Sequence, residues 1–347
     1  MKLEEKKNMR LSIIVPVYNM AADQKLEYCL NSLVNQTVQD YEIITVDDAS
    51  TDESLQTLRR YESEYPEKIR VLALAENHRQ GGAKNAGLKI ARGEFIGFMD
   101  SDDWAAPDMF EKLLRRAEET GADMVGCDCC LTDYHSMEIG QVIKTSRKEQ
   151  IGILGDSQYK SMIMDAGFLV VKIYRWEMFM NPPLSFPEHM FYEDNAVSTE
   201  LLLRAKRYEY VEEPLYYYYQ HTGSTVHVVT EERCKDRMEA MRIMVRLAKE
   251  SGTFERYPEE IEFRFINLFY QNTLFSYMQG AQKKKLSFLK AMGREMKETF
   301  PDFKKNPYYL ARINGEERMF MELLTKSAAA FLLYYKLKYF VRGLRNR

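Results

Sequence analysis

The chain has 347 residues, of which 45% are hydrophobic and 29% charged, and a formal net charge of −3. This composition excludes a disordered, collagen-like or low-complexity protein and is typical of a globular chain with one or two domains. Five cysteines in a chain of this size favour buried thiols in a reducing compartment over a disulfide scaffold.

Apolar runs alternate with helical patterns over the first 130 residues. Runs that predict strands are 12–18, 42–46, 69–74, 95–99 and 124–127, and patterns that predict helices are 26–34, 54–61, 84–91 and a helix opened by Pro107. Continuous rather than alternating apolar strands are typical of strands buried on both faces. The alternation predicts an α/β domain with a doubly wound, mostly parallel sheet.

Three predicted strands end in polar residues. Tyr18-Asn19 follows the first strand, Asp47-Asp48 the second, and Asp100-Ser101-Asp102-Asp103 the fourth. Because ligands of doubly wound sheets bind outside the carboxyl ends of the strands, we expect these residues to share one edge. Clustered carboxylates repel one another, and a divalent cation that also holds substrate phosphates would remove this conflict. A solvated acidic turn at 100–103 is the alternative, as helix capping is for residues 50–52.

The charge is unevenly distributed. Residues 231–347 carry a net charge of +9 and residues 1–230 a net charge of −12. The strand pattern is lost near Thr230, so a mainly helical, basic C-terminal region is predicted over 231–347. Its last segment, 331–347, mixes basic and aromatic residues, which fits either a helix lying on an anionic membrane surface or a packed terminal helix. No run is long and apolar enough to span a bilayer, and the charged N-terminus does not resemble a signal peptide. These features favour a cytoplasmic protein, with or without peripheral attachment to the inner face of the membrane.

Four motifs occur in register: SIIVPVYN at 12–19, VDDASTD at 46–52, GGAKNAG at 81–87 and FMDSDDW at 98–104. Together they resemble bacterial-type family 2 glycosyltransferases, which are inverting enzymes with the GT-A fold. The resemblance covers roughly residues 10–225. It implies a GT-A domain over 1–230, with a nucleotide-sugar half at about 10–130 and an acceptor half at about 131–230.

The resemblance also implies roles for individual residues. The donor nucleotide would be bound by Pro16, Tyr18, Asn19, Asp48, Lys84, Asp100 and Ser101, with Asp48 accepting a hydrogen bond from uracil. Asp102 and Asp103 would hold the cation, Mn²⁺ or Mg²⁺. Asp194, beside Glu193 in the run FYEDN, would be the catalytic base; from the residues alone, capping of the helix predicted to follow it is the alternative. The run QHTGS at 220–224 resembles the closing loop of the family, so His221 or Ser224 would contact the diphosphate or acceptor; an ordinary glycine turn is the alternative. Apart from the resemblance, Trp104 beside the acidic cluster is a candidate for stacking on a sugar, with a position in the core as the alternative. Lys84 stands where relatives often carry arginine.

These observations predict a metal-dependent, inverting glycosyltransferase that moves a sugar from a UDP-sugar to a hydroxyl of a glycan, a lipid-linked molecule or another cell-surface polymer. Two alternatives remain open, a nucleotidyltransferase and a non-catalytic nucleotide-sugar-binding protein. A nucleotidyltransferase usually needs a glycine-rich, basic phosphate loop near the first strand, and this sequence does not supply one there. Neither a nucleic-acid partner nor a particular oligomeric state is indicated, and a homo-oligomer remains open.

Overall fold

The computed structural model describes residues 9–133, 135–165, 168–220 and 229–345, with side chains described up to residue 338. It divides into two compact units, Met1–Ser224 and Thr225–Arg347. The sequence predicted a boundary at residue 230, and the structural division falls inside the undescribed range 221–228.

The first unit alternates strands and helices in the order that the apolar runs predict. Its strands are β1 Leu11–Val17, β2 Tyr41–Asp47, β3 Ile69–Ala73, β4 Phe95–Phe98, β5 Trp104–Ala105, β6 Met124–Thr132, β7 Gln141–Ile143, β8 Gly152–Ile153, β9 Lys172–Arg175 and β10 Arg207–Tyr219. Its α-helices are α1 Lys25–Val34, α2 Ser54–Glu64, α3 Arg79–Ile90, α4 Met109–Thr120, α5 Asp156–Met164, α6 Glu177–Met180 and α7 Glu193–Arg204.

The strands form one mixed sheet in the order β3-β2-β1-β4-β9-β6-β10-β5, with β7 paired to β6 and β8 to β10. The first four strands in this order are parallel, and β6 is parallel to β10. β9 runs antiparallel to both β4 and β6 and so joins the two parallel blocks. All residues of β1 and β2 are buried, as continuous apolar strands at the centre of a sheet should be. The predicted α/β fold class is confirmed.

Helix α3 begins at Arg79, five residues before the predicted start at Lys84. Glycine has a low helix propensity, so Gly81 and Gly82 indicated a turn in the sequence. In the structure they lie inside the first turns of the helix, where the Pro187 carbonyl at Gly81 and the His78 side chain at Gly82 leave no room for a Cβ atom. Tertiary packing therefore outweighs propensity at this helix start.

The second unit is helical, as predicted. Its α-helices are α8 Glu231–Glu250, α9 Thr253–Arg256, α10 Pro258–Phe265, α11 Thr273–Gly280, α12 Leu286–Thr299, α13 Pro307–Arg312, α14 Gly315–Lys326 and α15 Ala328–Arg345, and a π-helix spans Ile266–Asn272. Aromatic side chains form much of its core, including a stacked pair, Phe265 and Phe269, with ring centroids 4.3 Å apart. No helix among the described residues has both the length and the apolar character needed to cross a bilayer.

The terminal helix α15 has two different sides within the part whose side chains are described. Phe331 and Tyr335 are buried and pack on Phe320 of α14. Leu333 and Leu337 remain 71% and 58% exposed. One side of α15 therefore packs on its neighbour, as expected for a packed terminal helix, and the apolar side chains of Leu333 and Leu337 lie on the exposed side.

Candidate active site

Parallel pairing brings the ends of three strands to one edge of the sheet, which we call the polar edge. Val17 of β1 lies beside Asp47 of β2, and Ile14 of β1 lies beside Phe98 of β4. The polar residues that follow these strands, predicted to meet, therefore emerge side by side. We use polar edge for Tyr18-Asn19, Asp47-Asp48 and Asp100–Asp103.

Asp100 follows β4 and has a buried carboxylate oxygen, Oδ1, without a hydrogen-bond partner among the described residues. Burial raises the pKa of this carboxyl to about 7; the charge of Lys84 opposes that shift, whereas Asp102, Glu193 and Asp194 add to it. We call Asp100, Asp102, Glu193 and Asp194 the carboxylate cluster. A buried acceptor without a donor is costly, and a cation coordinated at Oδ1 would satisfy it.

Asp103 has a different environment from Asp102, although both were predicted to hold the cation. It is 1% exposed, and its two carboxylate oxygens accept hydrogen bonds from the Tyr216 hydroxyl at 2.5 Å and the Tyr219 amide at 2.8 Å. Burial and the charges of Asp102 and Asp100 raise its pKa well above the usual range. Both carboxylate oxygens of Asp103, which was predicted to hold the cation together with Asp102, are thus engaged by β10. Its carboxylate anchors the end of β10 instead.

Lys84 of α3 and Glu193 of α7 form a buried ion pair, with Nζ and Oε1 2.5 Å apart. Gln80 also accepts a hydrogen bond from Lys84, at 3.1 Å. Burial alone would lower the pKa of Lys84, but the charges of Glu193, Asp100 and Asp194 more than offset burial, and the pKa is raised. Lys84 therefore stays charged and supplies the cluster with a fixed positive charge. The pair also ties α7, which carries Asp194, to α3.

Asp194 lies in the first turn of α7, which begins one residue earlier, at Glu193. The residue before the helix is Tyr192, with φ 64°, so Asp194 does not occupy the capping position that was its alternative assignment. Its Oδ1 accepts hydrogen bonds from the amide and side chain of Asn195, at 2.7 and 3.1 Å. A carboxylate in the first turn of a helix is stabilised by the helix dipole. Asp194 is thus held, half-buried, beside Asp100.

Of the residues predicted to bind the nucleotide, Tyr18 is 45% exposed, so its ring is accessible at the polar edge. Pro16 is buried inside β1, and Ser101 is buried in the turn after β4. Asn19, with φ 53°, accepts a hydrogen bond from the Thr51 amide at 2.8 Å. Asn19 therefore holds the loop after β2 in place, and Tyr18 and Asn19 are the exposed residues of their motif.

Asp48 is buried and accepts a hydrogen bond from the His78 amide at 2.7 Å. Its backbone carbonyl also accepts a hydrogen bond from the Asn77 side chain, at 3.0 Å. Burial raises the pKa of Asp48, and the backbone hydrogen bonds partly oppose that shift. The loop between β3 and α3 is thereby fastened to the end of β2.

Trp104 is fully buried, and its indole N–H donates to the Ser136 carbonyl at 2.9 Å. It stacks on Tyr217, with ring centroids 6.1 Å apart, because β5 pairs with β10. This contradicts the prediction that Trp104 stacks on a sugar, since the ring has no exposed face. His221 and Ser224 lie outside the described residues.

Sequence reasoning missed a second group of residues beside the polar edge: His78, Glu188 and His189 lie close together. A signal for His78 existed, because it follows β3, whose carboxyl end lies on the same edge as those of β1 and β2. No signal connected it to Glu188 and His189, which are more than 100 positions away along the chain.

Gly81 lets α3 pack against the segment before α7, and it provides a testable prediction. A Cβ atom at this position would lie 2.0 Å from the Pro187 carbonyl oxygen and 3.3 Å from Cβ of Glu193. Gly81→Ala should therefore displace that segment, lower the free energy of unfolding by about 1–3 kcal/mol and reduce activity. Urea unfolding and initial-rate assays measure both effects.

The matched control is Gly315→Ala. Gly315 begins α14, and nothing lies within 4 Å of a Cβ atom built there. Since alanine is a better helix former than glycine, this variant should be as stable as the wild type or more so. Equal stability of Gly81→Ala and the wild type would contradict the packing argument.

Comparison with known proteins identifies a family and relatives of this chain. The model of the family described as Glycosyl transferase family 2 matches residues 12–174. The chain is 32% identical over 264 residues to the putative glycosyltransferase EpsH of Bacillus subtilis, a match that covers 73% of each protein. It is 31% identical over 219 residues to the uncharacterized glycosyltransferase YibD of Escherichia coli, and there the match spans 62% of each, less than two thirds of that relative's length.

Solved structures show the same fold. The S. aureus TarS fragment 1-349, crystallised with UDP-GlcNAc, superposes with a TM-score of 0.58 at 22% identity, covering 89% of this chain and 78% of that one. The mannosyltransferase PcManGT of Pyrobaculum calidifontis, in complex with GDP-Man and Mn²⁺, gives a TM-score of 0.51 at 16% identity, covering 95% and 89%. Together with the family match and the EpsH alignment, this shows that the chain belongs to glycosyl transferase family 2 and has the GT-A fold.

Proposed function

We propose that this protein transfers a sugar, with inversion, from a UDP-sugar to an acceptor hydroxyl, and that a divalent cation is required. The observation that carries the proposal is the buried oxygen of Asp100, which has no hydrogen-bond partner in the described part of the chain and lies in a cluster of four carboxylates beside the buried Lys84. Such a concentration of negative charge is unfavourable unless a cation joins it. The set of oxygen ligands fits Mg²⁺ or Mn²⁺, which favour carboxylates and substrate phosphates.

Asp100 and Asp102 would hold the cation, while Asp103 keeps β10 in place behind them. A bound cation would supply Lewis-acid stabilisation to the diphosphate leaving group. Lys84 is engaged by Glu193, so we assign it a positioning role and not a direct phosphate contact. The exposed ring of Tyr18 would pack on the base, and Asp48 would accept a hydrogen bond from uracil, which favours UDP over other nucleotides.

Asp194 would act as the general base. In an inverting transfer the acceptor hydroxyl must lose its proton as it attacks the anomeric carbon, and a carboxylate within hydrogen-bond reach can take that proton. Asp194 is suited to this task because α7 holds it within the carboxylate cluster and because it is half-buried. The Lys84–Glu193 pair restrains the helix start and thereby the direction of the Asp194 side chain.

For the acceptor we propose a hydroxyl of a cell-envelope polymer or a lipid-linked glycan. One relative, 30% identical over 213 residues, is a poly(ribitol-phosphate) beta-glucosyltransferase of Bacillus spizizenii, although the match spans only 32% of it. The exposed Leu333 and Leu337 of α15 fit an enzyme that contacts an anionic membrane surface where such acceptors reside. Co-sedimentation with anionic vesicles tests this contact, which Leu333→Ser and Leu337→Ser together should abolish.

A donor screen tests the proposed reaction. The protein is incubated with Mn²⁺ and a panel of UDP- and GDP-sugars, and thermal stabilisation and nucleotide release are measured. We expect at least one UDP-sugar to raise the melting temperature and to be slowly hydrolysed with release of UDP, because a ligand that binds the folded state stabilises it. Pyrophosphate release from UTP and a sugar phosphate would instead identify a nucleotidyltransferase, and binding without turnover on any acceptor would identify a nucleotide-sugar-binding protein.

A further inference from the structure

Three side chains of types that can bind a metal ion lie near the polar edge and are not part of the carboxylate cluster. His78, Glu188 and His189 each place one ligand atom within 4.8 Å of the other two. Nδ1 of His78 is 3.0 Å from Oε2 of Glu188, and the two imidazole rings have centroids 4.7 Å apart. We call these three residues the His-Glu-His cluster.

The backbone fixes this arrangement. The His189 amide donates to the His78 carbonyl at 2.9 Å, so the two histidines are joined through the main chain as well as by proximity. His189 has φ 59°, a left-handed conformation that is uncommon for residues other than glycine and in which asparagine, aspartate and histidine are enriched. At Gly82, a Cβ atom would lie 2.2 Å from the Cβ of His78 and 3.5 Å from the carboxyl carbon of Glu188, so the absence of a side chain there lets the cluster form.

Asn85 of α3 orients the carboxylate of the cluster. Its side-chain amide donates to Oε1 of Glu188 at 3.2 Å and to the Phe186 carbonyl at 2.8 Å, and its oxygen accepts from the Phe186 amide at 2.9 Å. Glu188 thus turns Oε1 to Asn85 and Oε2 to His78. Hydrogen bonds of this kind, made to a ligand by a residue behind it, are typical of metal sites, where they hold the ligand in the binding orientation.

We propose that the His-Glu-His cluster binds a transition-metal ion of the Zn²⁺ type, separate from the cation of the polar edge. Two imidazoles and one carboxylate with an open fourth position is an established zinc ligand set, and imidazole ligands favour Zn²⁺ over Mg²⁺. Metal–ligand distances of about 2.0–2.2 Å place the ligand atoms of a tetrahedral site roughly 3.2–3.6 Å apart. In the cluster, Nδ1 of His78 and Oε2 of Glu188 are 3.0 Å apart, and no two of the three ligand atoms are more than 4.8 Å apart. Rotation of the partly exposed side chains can bring all three ligand atoms to the tetrahedral spacing.

Metal at this position would clamp two segments that the proposed reaction needs. His78 also donates its amide to Asp48, and Glu188 and His189 lie in the segment leading to Asp194. A bound ion would therefore restrain the nucleotide side and the acceptor side of the site together. This consequence depends on the proposed function, whereas metal binding itself does not.

The test is metal titration of the whole chain, purified without a histidine tag. The protein carries Asp102→Asn, which weakens cation binding at the polar edge. Zn²⁺ binding is followed by calorimetry in excess Mg²⁺, and Co²⁺ binding by visible absorption. We expect one Zn²⁺ per chain, a tetrahedral Co²⁺ spectrum and a higher melting temperature with Zn²⁺. Glu188→Gln and His189→Asn should each weaken Zn²⁺ binding at least tenfold; asparagine is chosen because it tolerates positive φ.

His135→Gln is the matched control, since it removes another histidine and should leave the Zn²⁺ affinity unchanged. Each variant is first checked for a wild-type melting temperature without metal; if His189→Asn is unstable, Glu188→Gln decides alone. The proposal is overturned if the parent protein binds no Zn²⁺, or if Glu188→Gln binds it as tightly as the parent. Because the readout is metal binding, these results are independent of whether the protein transfers sugars.

Discussion

Replacing Asp194 with asparagine should lower the turnover number by about 10²–10⁴-fold, the usual contribution of a general base. Asparagine keeps the size of the side chain and can retain a hydrogen bond to Asn195, but it cannot take a proton from the acceptor. The binding of UDP-sugar and Mn²⁺ should change little, because Asp194 is assigned to the acceptor side. Initial rates of UDP release with acceptor present, together with donor titration, measure the two effects separately.

Glu200→Gln provides the control for Asp194→Asn. Glu200 lies further along α7 and is paired with Arg204 at 3.3 Å, away from the carboxylate cluster. It should keep near wild-type turnover. If Asp194→Asn retained more than a tenth of the wild-type rate while folded, Asp194 would not be the base.

Asp100→Asn should weaken Mn²⁺-dependent UDP binding by at least an order of magnitude and nearly abolish transfer. The neutral amide removes one charge from the cluster and a ligand oxygen that has no partner among the described residues. The wild-type affinity for Mn²⁺ should depend on pH, because the cation competes with a proton for a carboxyl whose pKa is about 7. Apparent affinity should rise with pH up to about 7 and level off above it. The Asp100→Asn variant should lack this rise.

The same pKa makes a prediction for the metal-free protein. In the folded protein the pKa of Asp100 is raised above its ordinary value of 3.8, so this carboxyl ionises at lower pH in the unfolded state than in the folded state. The folded state therefore loses stability as pH rises from about 4 to about 7. Above pH 7, Asp100→Asn should therefore be more stable than the wild type when a chelator is present. Urea unfolding between pH 5 and 8 measures this.

Asp108→Asn is the control, because Asp108 pairs with Lys112 at 2.7 Å on the next helix and is outside the cluster. It should leave both the pH dependence and the Mn²⁺ affinity unchanged. A wild-type Mn²⁺ affinity in Asp100→Asn would remove Asp100 from the cation site.

Much of the first unit could be predicted from local patterns. Apolar runs predicted both ends of β1, β2, β3 and β4 to within one residue. For β1, β2 and β4 the reason is that strands buried on both faces have few polar positions. Parallel strands must end at a common edge, so the proximity of Asp48 and Asp100 was predictable without knowledge of any contact. The family resemblance added the roles, and the family and fold that it implied are confirmed.

Residues that are adjacent in the sequence occupy different environments in the fold. Asp102, Asp103 and Trp104 are consecutive, yet Asp103 bonds to β10 and Trp104 is enclosed by the core. The pairing of β5 with β10 decides this, and the partner residues are more than 100 positions away. Local sequence could not separate Asp102, the proposed metal ligand, from Asp103, which anchors β10.

The sequence by itself determined the order of elements, the parallel edge and the residue types gathered on it, because strand burial and chain direction depend on short-range patterns. Only the tertiary structure decided which of those side chains are engaged by protein partners. The Lys84–Glu193 pair spans 109 positions, and the His-Glu-His cluster joins two segments about 110 positions apart. Such contacts depend on close packing between distant segments, at Gly81 and Gly82, and no periodicity along the chain encodes them.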